Sequence, residues 1–281
     1  MTIKEHLIVW RNALKESFSL DSILAAAGTA YFAFFSFFPL ILLLVAVASR
    51  WFDPLWVESE LIARLEFIVP GVANLLGKNI AKVIEARFSA TATALILLAW
   101  ASSSLFSIIT RILDRIWSGE DVRSRMRYRG LALLLVGILS IVVLTFLFIS
   151  IWIIPLLKSI LPEFPLLLYQ NLGFLLSVLV NIILFVMLYR FLPHASPNWH
   201  DIWIGATAAG TIWAIAKRFF VGYTARFLST SNLVYGSVST IIAFLVWVYF
   251  SGLIFFFGAY LGKGYRQHKL AKEEEIKNPI L

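Results

Sequence analysis

The sequence predicts an all-α, polytopic integral membrane protein: six transmembrane helices plus amphipathic interfacial helices, with both termini in the cytoplasm. Three observations predict it. Hydrophobic residues make up 60% of the 281 positions and charged residues 14%, where an ordinary soluble domain carries about 25% charged. The apolar residues gather in runs that meet the roughly 20 residues a helix needs to cross a bilayer. Lys and Arg are also unevenly shared among the connections. Fifteen of the 24 lie in the N-terminal segment, the arginine-rich second-to-third connection with its helix end, Arg190 and the C-terminal tail, against nine elsewhere. The richer side is the cytoplasmic one. The net charge of +8 is thereby a topology signal before it is a sign of nucleic acid.

The whole chain, residues 1–281, reads as a single membrane domain. Residues 1–20 form an interfacial helix, in which Leu7, Ile8, Trp10, Leu14 and Phe18 alternate with Lys4, Arg11 and Lys15 at helical spacing. The first membrane run lacks the short apolar core and small-residue cleavage site of a removable leader. The first span covers about 23–49 and opens on Ala25, Ala26, Ala27 and Gly28, small residues suited to close helix contact. Pro39 removes a backbone donor and predicts a bend near Phe35, with Ser36 able to satisfy part of the freed backbone. Ser36 and Pro39 are accordingly candidate conformational residues.

Residues 53–88 form an outer connection with two apolar stripes, one through Leu61, Leu65, Ile68 and Val72 and one through Ile80, Val83 and Ile84. They predict two amphipathic helices on the membrane surface. The second span, about 90–112, carries Ser102, Ser103, Ser104 and Ser107, whose hydroxyls bond backbone or neighbouring helices. Arg111 and Asp114, three residues apart, are placed to pair. Arg123, Arg125, Arg127 and Arg129 then mark the cytoplasmic side and a contact for anionic lipid. With only Tyr128 among them as a stacking residue, RNA is a poorer match. The third and fourth spans cover about 131–157 and 166–192, the latter with Asn181 as a polar bond between helices.

The fifth and sixth spans, about 202–226 and 237–262, form the hairpin around which the chain is organised, and residues 263–281 form a cytoplasmic tail. Ala206, Gly210, Ala214, Arg218, Gly222 and Arg226 recur every fourth position, so one helical face is small first and cationic later. Lys217, Arg218 and Arg226, with the hydroxyls of Tyr223 and Tyr235, are the candidate substrate-binding residues. Two readings stand: the cations reach out to headgroups, or they line an anion-accepting cavity between helices. Gly236 allows a tight entry into the sixth span and is a third candidate conformational residue.

No catalytic constellation is present in the sequence. Cysteine is absent, and His6, His194, His200 and His268 make no HxxxH or HExxH pattern. Carboxylates are nearly absent from the spans, and neither a phosphate-binding Gly-rich loop nor a GxSxG elbow is found. No catalytic residue, metal or cofactor is expected. The expected partners are membrane lipids with anionic headgroups rather than nucleic acid, and a homo-oligomer stays open.

Tyr235-Gly236-Ser237, followed by an apolar run with Trp247, Tyr249 and Gly258-Ala259, is the most specific part of a wider pattern. Ser36-x-x-Pro39, Leu192-Pro193 with Trp199, Gly205-Ala206, and Lys217 with Tyr223 complete it. On these residues the chain resembles the YihY/virulence factor BrkB family of inner-membrane proteins, from the first span to the end of the sixth. Tyr260 stands where many members have a glutamate after Gly-Ala. The resemblance implies six spans with both ends inside. It also brings an old ribonuclease BN label for transfer-RNA processing, a link to serum resistance and a link to envelope-lipid movement. The leading expectation is a cytoplasmic-membrane transporter or flippase-like protein for an anionic lipid or amphiphile. A membrane-associated ribonuclease and a virulence-associated scaffold without transport are the alternatives.

Overall fold

The computed structural model describes residues 2–48, 90–118, 166–193, 197–235 and 238–277. The outer connection at 53–88, the arginine cluster Arg123, Arg125, Arg127 and Arg129, the third span at 131–157 and Gly236 lie outside these residues. Among the described residues there are six α-helices and no strand: α1 (Ile3–Ser17), α2 (Leu20–Ala48), α3 (Ala90–Ser118), α4 (Leu166–Phe191), α5 (Trp199–Tyr235) and α6 (Val238–Lys277). Three are long and apolar enough to cross a membrane, over Leu20–Phe37, Leu95–Ser118 and Val238–Glu273, and Val178–Phe191 adds a shorter apolar stretch. Helix α5 is not among them: Lys217 and Arg218 interrupt its apolar stretch from Ile202.

Thr2 starts α1 with a capping box. Its hydroxyl accepts from the Glu5 N–H, and the Glu5 carboxylate accepts from the Thr2 N–H at 2.8 Å. That backbone bond, with His268 beside it at 3.3 Å, holds the Glu5 carboxyl below its ordinary value of 4.5. A depressed carboxyl contributes fully above its unfolded value, and the contribution disappears as pH falls through the folded one. Hydrogen exchange in the first turn of α1, corrected for intrinsic rate, is therefore expected to speed up as pH drops from about 6 to about 3. Glu5→Gln should exchange at one corrected rate across that range.

The inner face of α1 packs Val9 and Ala13 against Phe257 and Leu261 of α6. The Tyr265 hydroxyl meets His6 Nδ1 at 2.7 Å and accepts from Trp10 Nε1 at 3.3 Å. These contacts lie beyond the expected end of the sixth span at 262: α6 continues as helix through Lys277. Ser19 then caps α2 by accepting from the Ser22 N–H, while the Ser22 hydroxyl donates to the Glu16 carbonyl and lies 3.2 Å from Tyr260 Oη.

Helices α2 and α3 run antiparallel, with Gly28 making room for Ile108 and Phe32 edge-on to Trp100. The expected pairing of Arg111 with Asp114 does not form. The seam of α3 takes Leu113, Asp114 and Trp117 inside and leaves Arg111 exposed, and Arg115 reaches across to Asp21 of α2 instead. Two hydroxyls of the serine run return to their own helix, Ser102 to the Leu98 carbonyl and Ser104 to that of Trp100. Helix α2 passes through the buried Pro39 without a break. The Ser36 hydroxyl donates to the Ala33 carbonyl at 3.0 Å, whereas the carbonyl freed by the proline, four residues back, is that of Phe35.

Helix α6 touches the five other described helices through four glycines. Gly252 faces Ala26 of α2, Gly258 faces Gly205 and Ala209 of α5 and Tyr189 of α4, Gly262 faces the Asp201 carbonyl and Trp117 of α3, and Gly264 faces Val9 of α1. Lipid tails are as apolar as leucine, so helices in a membrane gain little by hiding oily surface from each other. They gain by close packing, which small residues permit. Large side chains fill the rest, with Tyr189, Phe256, Leu113 and Ile116 fully buried.

Candidate functional site

The small half of the α5 stripe is the packed half. Ala206 and Ala214 are buried, and Gly210 lies directly on the backbone of Ile182 in α4. Beyond Ala214 the stripe leaves the bundle. Arg218 is exposed, with its guanidinium 5.6 Å from the Phe174 ring of α4. One turn on, a Cβ at Gly222 would meet nothing within 4 Å, and Arg226 after it is exposed again. Eight residues of helix separate the two arginines along the axis by about 12 Å.

Lys217 follows another direction. It is only 9% exposed, and its ammonium sits 5.7 Å from the Trp213 ring. Trp213 packs on Trp247 of α6 and donates from Nε1 to Ser251 Oγ at 2.9 Å, and Phe220 stacks on the other side of this group with its ring 4.9 Å from Trp247. An ammonium over an indole face gains from the ring quadrupole, and more so where water is scarce. Tyr223 is exposed with its ring 6.2 Å from Phe220. Tyr235 closes α5, its side chain outside the description.

The structure thus brings Arg218, Gly222 and Arg226 onto one open strip and turns Lys217 into an aromatic pocket beside it. The strip can accept an anion, since a guanidinium presents paired donors to a phosphate or carboxylate. Several contacts that build the α4–α5–α6 core were not singled out in the sequence. Trp213 and Lys217 stand four apart, a spacing that would have paired them. Gly258 and Gly262 likewise form a small-xxx-small pair. Tyr189, which donates to the Phe255 carbonyl at 2.6 Å, leaves no sequence signal beyond being apolar.

At the far end of α5, Arg190 donates to the Pro197 carbonyl at 3.1 Å and lies over the Trp199 ring, clipping α4 to α5. Asn181, expected as a bond between helices, has no partner for Nδ2 among the described residues. Among the described residues no three His, Asp or Glu side chains stand together as a metal site would require.

A bundle of α-helices with three bilayer-length apolar runs and an open cationic strip defines an integral membrane protein. The family model described as virulence factor BrkB matches residues 15–279. The chain belongs to that family. A UPF0761 membrane protein of Aeromonas salmonicida (strain A449) is 27% identical over 248 residues, 86% of this chain and 83% of the relative. One from Pseudoalteromonas translucida (strain TAC 125) is 26% identical over 252 residues, 86% and 80% of the two chains. A third, from Ralstonia nicotianae, is 39% identical over 85 residues, and there the match spans 19% of the relative's length. No solved structure matches the chain.

Proposed function

We propose that the protein crosses the cytoplasmic membrane six times, with both ends inside, and moves an anionic lipid or amphiphile between leaflets as a flippase-type transporter. The open strip of Arg218, Gly222 and Arg226 carries this reading. A bilayer core takes about 20 helical residues, so a count from Ile202 ends near Gly222 and puts the two arginines on either side of headgroup depth. Cations at such depth in membrane helices are expensive and mark ligand paths. Gly222 leaves space for a headgroup between them, and Lys217 supplies a further positive charge behind the strip. Ser36, Pro39 and Gly236 are the residues assigned to shaping the moving helices. The ribonuclease and scaffold readings gain no specific observation from the described residues.

Headgroup translocation in liposomes tests the proposal, with fluorescent anionic and zwitterionic lipids side by side. Removing one charge-assisted contact costs about 1.5–3 kcal/mol, so Arg218→Ala and Arg226→Ala are each expected to slow anionic-lipid movement about tenfold or more. Movement that is equal for every lipid and independent of protein would sink the reading.

A further inference from the structure

We infer that the groove where α1 overhangs the α5–α6 hairpin is a lipid site that takes one acyl chain of an anionic phospholipid and pairs its phosphate with Arg11. The groove encloses about 490 Å³, within the range of roughly 300–1,000 Å³ typical of small-molecule sites. Trp10 and Leu14 of α1 form its roof, and Ile212, Leu253 and Phe257 form its wall. Leu253 and Phe257 of that wall belong to the long apolar run of α6, so bilayer hydrocarbon is the medium beside it. Water would be an unfavourable filling for such a lining.

Charge complementarity selects the occupant. Arg11 is the one charged side chain among the lining residues, and no ion-pair partner for it exists among the described residues. Leu7 and Leu14 of the same helix and Phe18 just after it stay more than half exposed, which suits a segment seated at the boundary of headgroups and tails. A guanidinium at the lip of an apolar slot matches a phosphate joined to a hydrocarbon chain. The site lies against α1 and the middle of α6, from Phe250 to Phe257, apart from the Arg218–Arg226 strip. The inference requires the membrane setting only and does not rest on transport.

The chain has no cysteine, so Leu7→Cys can be labelled at one place with a bimane fluorophore in the full-length protein. Quenching is read in phosphatidylcholine liposomes containing phosphatidylglycerol or phosphatidylcholine with a nitroxide on the acyl chain. At equal mole fraction the phosphatidylglycerol probe is expected to quench about fivefold more strongly, the preference one cation near a headgroup supplies. Adding Arg11→Gln should remove the preference, and Lys15→Gln should leave it. High salt should reduce it in the unsubstituted protein, a check that needs no variant. Equal quenching by both probes would mean ordinary boundary lipid and overturn the inference, as would equal losses in Arg11→Gln and Lys15→Gln. Absence of quenching by either probe would mean a protein segment fills the groove, with the same consequence.

Discussion

Gly258→Val is expected to abolish recovery of a monodisperse, folded membrane protein. A Cβ at Gly258 would stand 2.6 Å from the Ala209 Cβ, 2.7 Å from the Gly205 carbonyl oxygen and closer still to the Tyr189 hydroxyl. None of these can give way: Ala209 and Tyr189 are both fully buried, and the Gly205 oxygen belongs to helical backbone. Overpacking usually costs about 1–3 kcal/mol and sometimes more. Valine adds that Cβ and two methyl groups to a contact with no free volume, so about 3 kcal/mol or more is expected here. The only relief is to push α5 off α6, which breaks the Trp213–Ser251 bond and exposes Lys217. Size-exclusion chromatography and thermal melting in detergent would read the loss. Gly222→Val is the control: nothing lies within 4 Å of its Cβ position, and it should melt like the parent. A Gly258→Val protein that melts with the parent would show that α5 and α6 do not meet at this contact.

Tyr189→Ala is expected to be nearly as damaging. The side chain is fully buried, its ring centroid is 4.8 Å from that of Phe255, and its hydroxyl donates to the Phe255 carbonyl at 2.6 Å. Truncating a buried aromatic residue to alanine costs about 3–5 kcal/mol. Tyr189→Phe keeps the ring and loses one bond, worth about 0.6 kcal/mol on average between membrane helices. The two variants therefore separate packing from hydrogen bonding in one melting experiment. The hydroxyl also occupies space beside Gly258, so the two positions should be coupled. Gly258→Ala should destabilise less in the Tyr189→Phe background than in the parent, and additive effects would remove that coupling.

These outcomes depend on how the same residues look from sequence and from structure. Composition announced a helical membrane protein, because roughly 60% apolar residues leave too little polar surface for a soluble one. The alternation of Trp10 and Leu14 with Arg11 and Lys15 marked α1 as amphipathic, and its inner residues Val9 and Ala13 are those that pack on α6. Spacing by four also picked out a face of α5 whose first half, Ala206, Gly210 and Ala214, is buried. Arg111 and Asp114 show where spacing alone misleads, since packing turns Asp114 into the seam and leaves Arg111 exposed.

Local sequence is therefore enough for the kind of medium, the described helices and the angular position of each side chain around its own axis. Which of those directions meets a neighbour is set by how the helices pack. Lys217 and Arg218 are adjacent in the chain, about 100° apart on the helix, yet one lies over Trp213 at the α6 side and the other beside Phe174 on the rim of α4. Gly205 and Gly258 are unremarkable singly and become a contact only when α5 and α6 run antiparallel. Periodicity is a property of one segment and is written locally, whereas a shared interface depends on residues dozens of positions apart that only folding brings together.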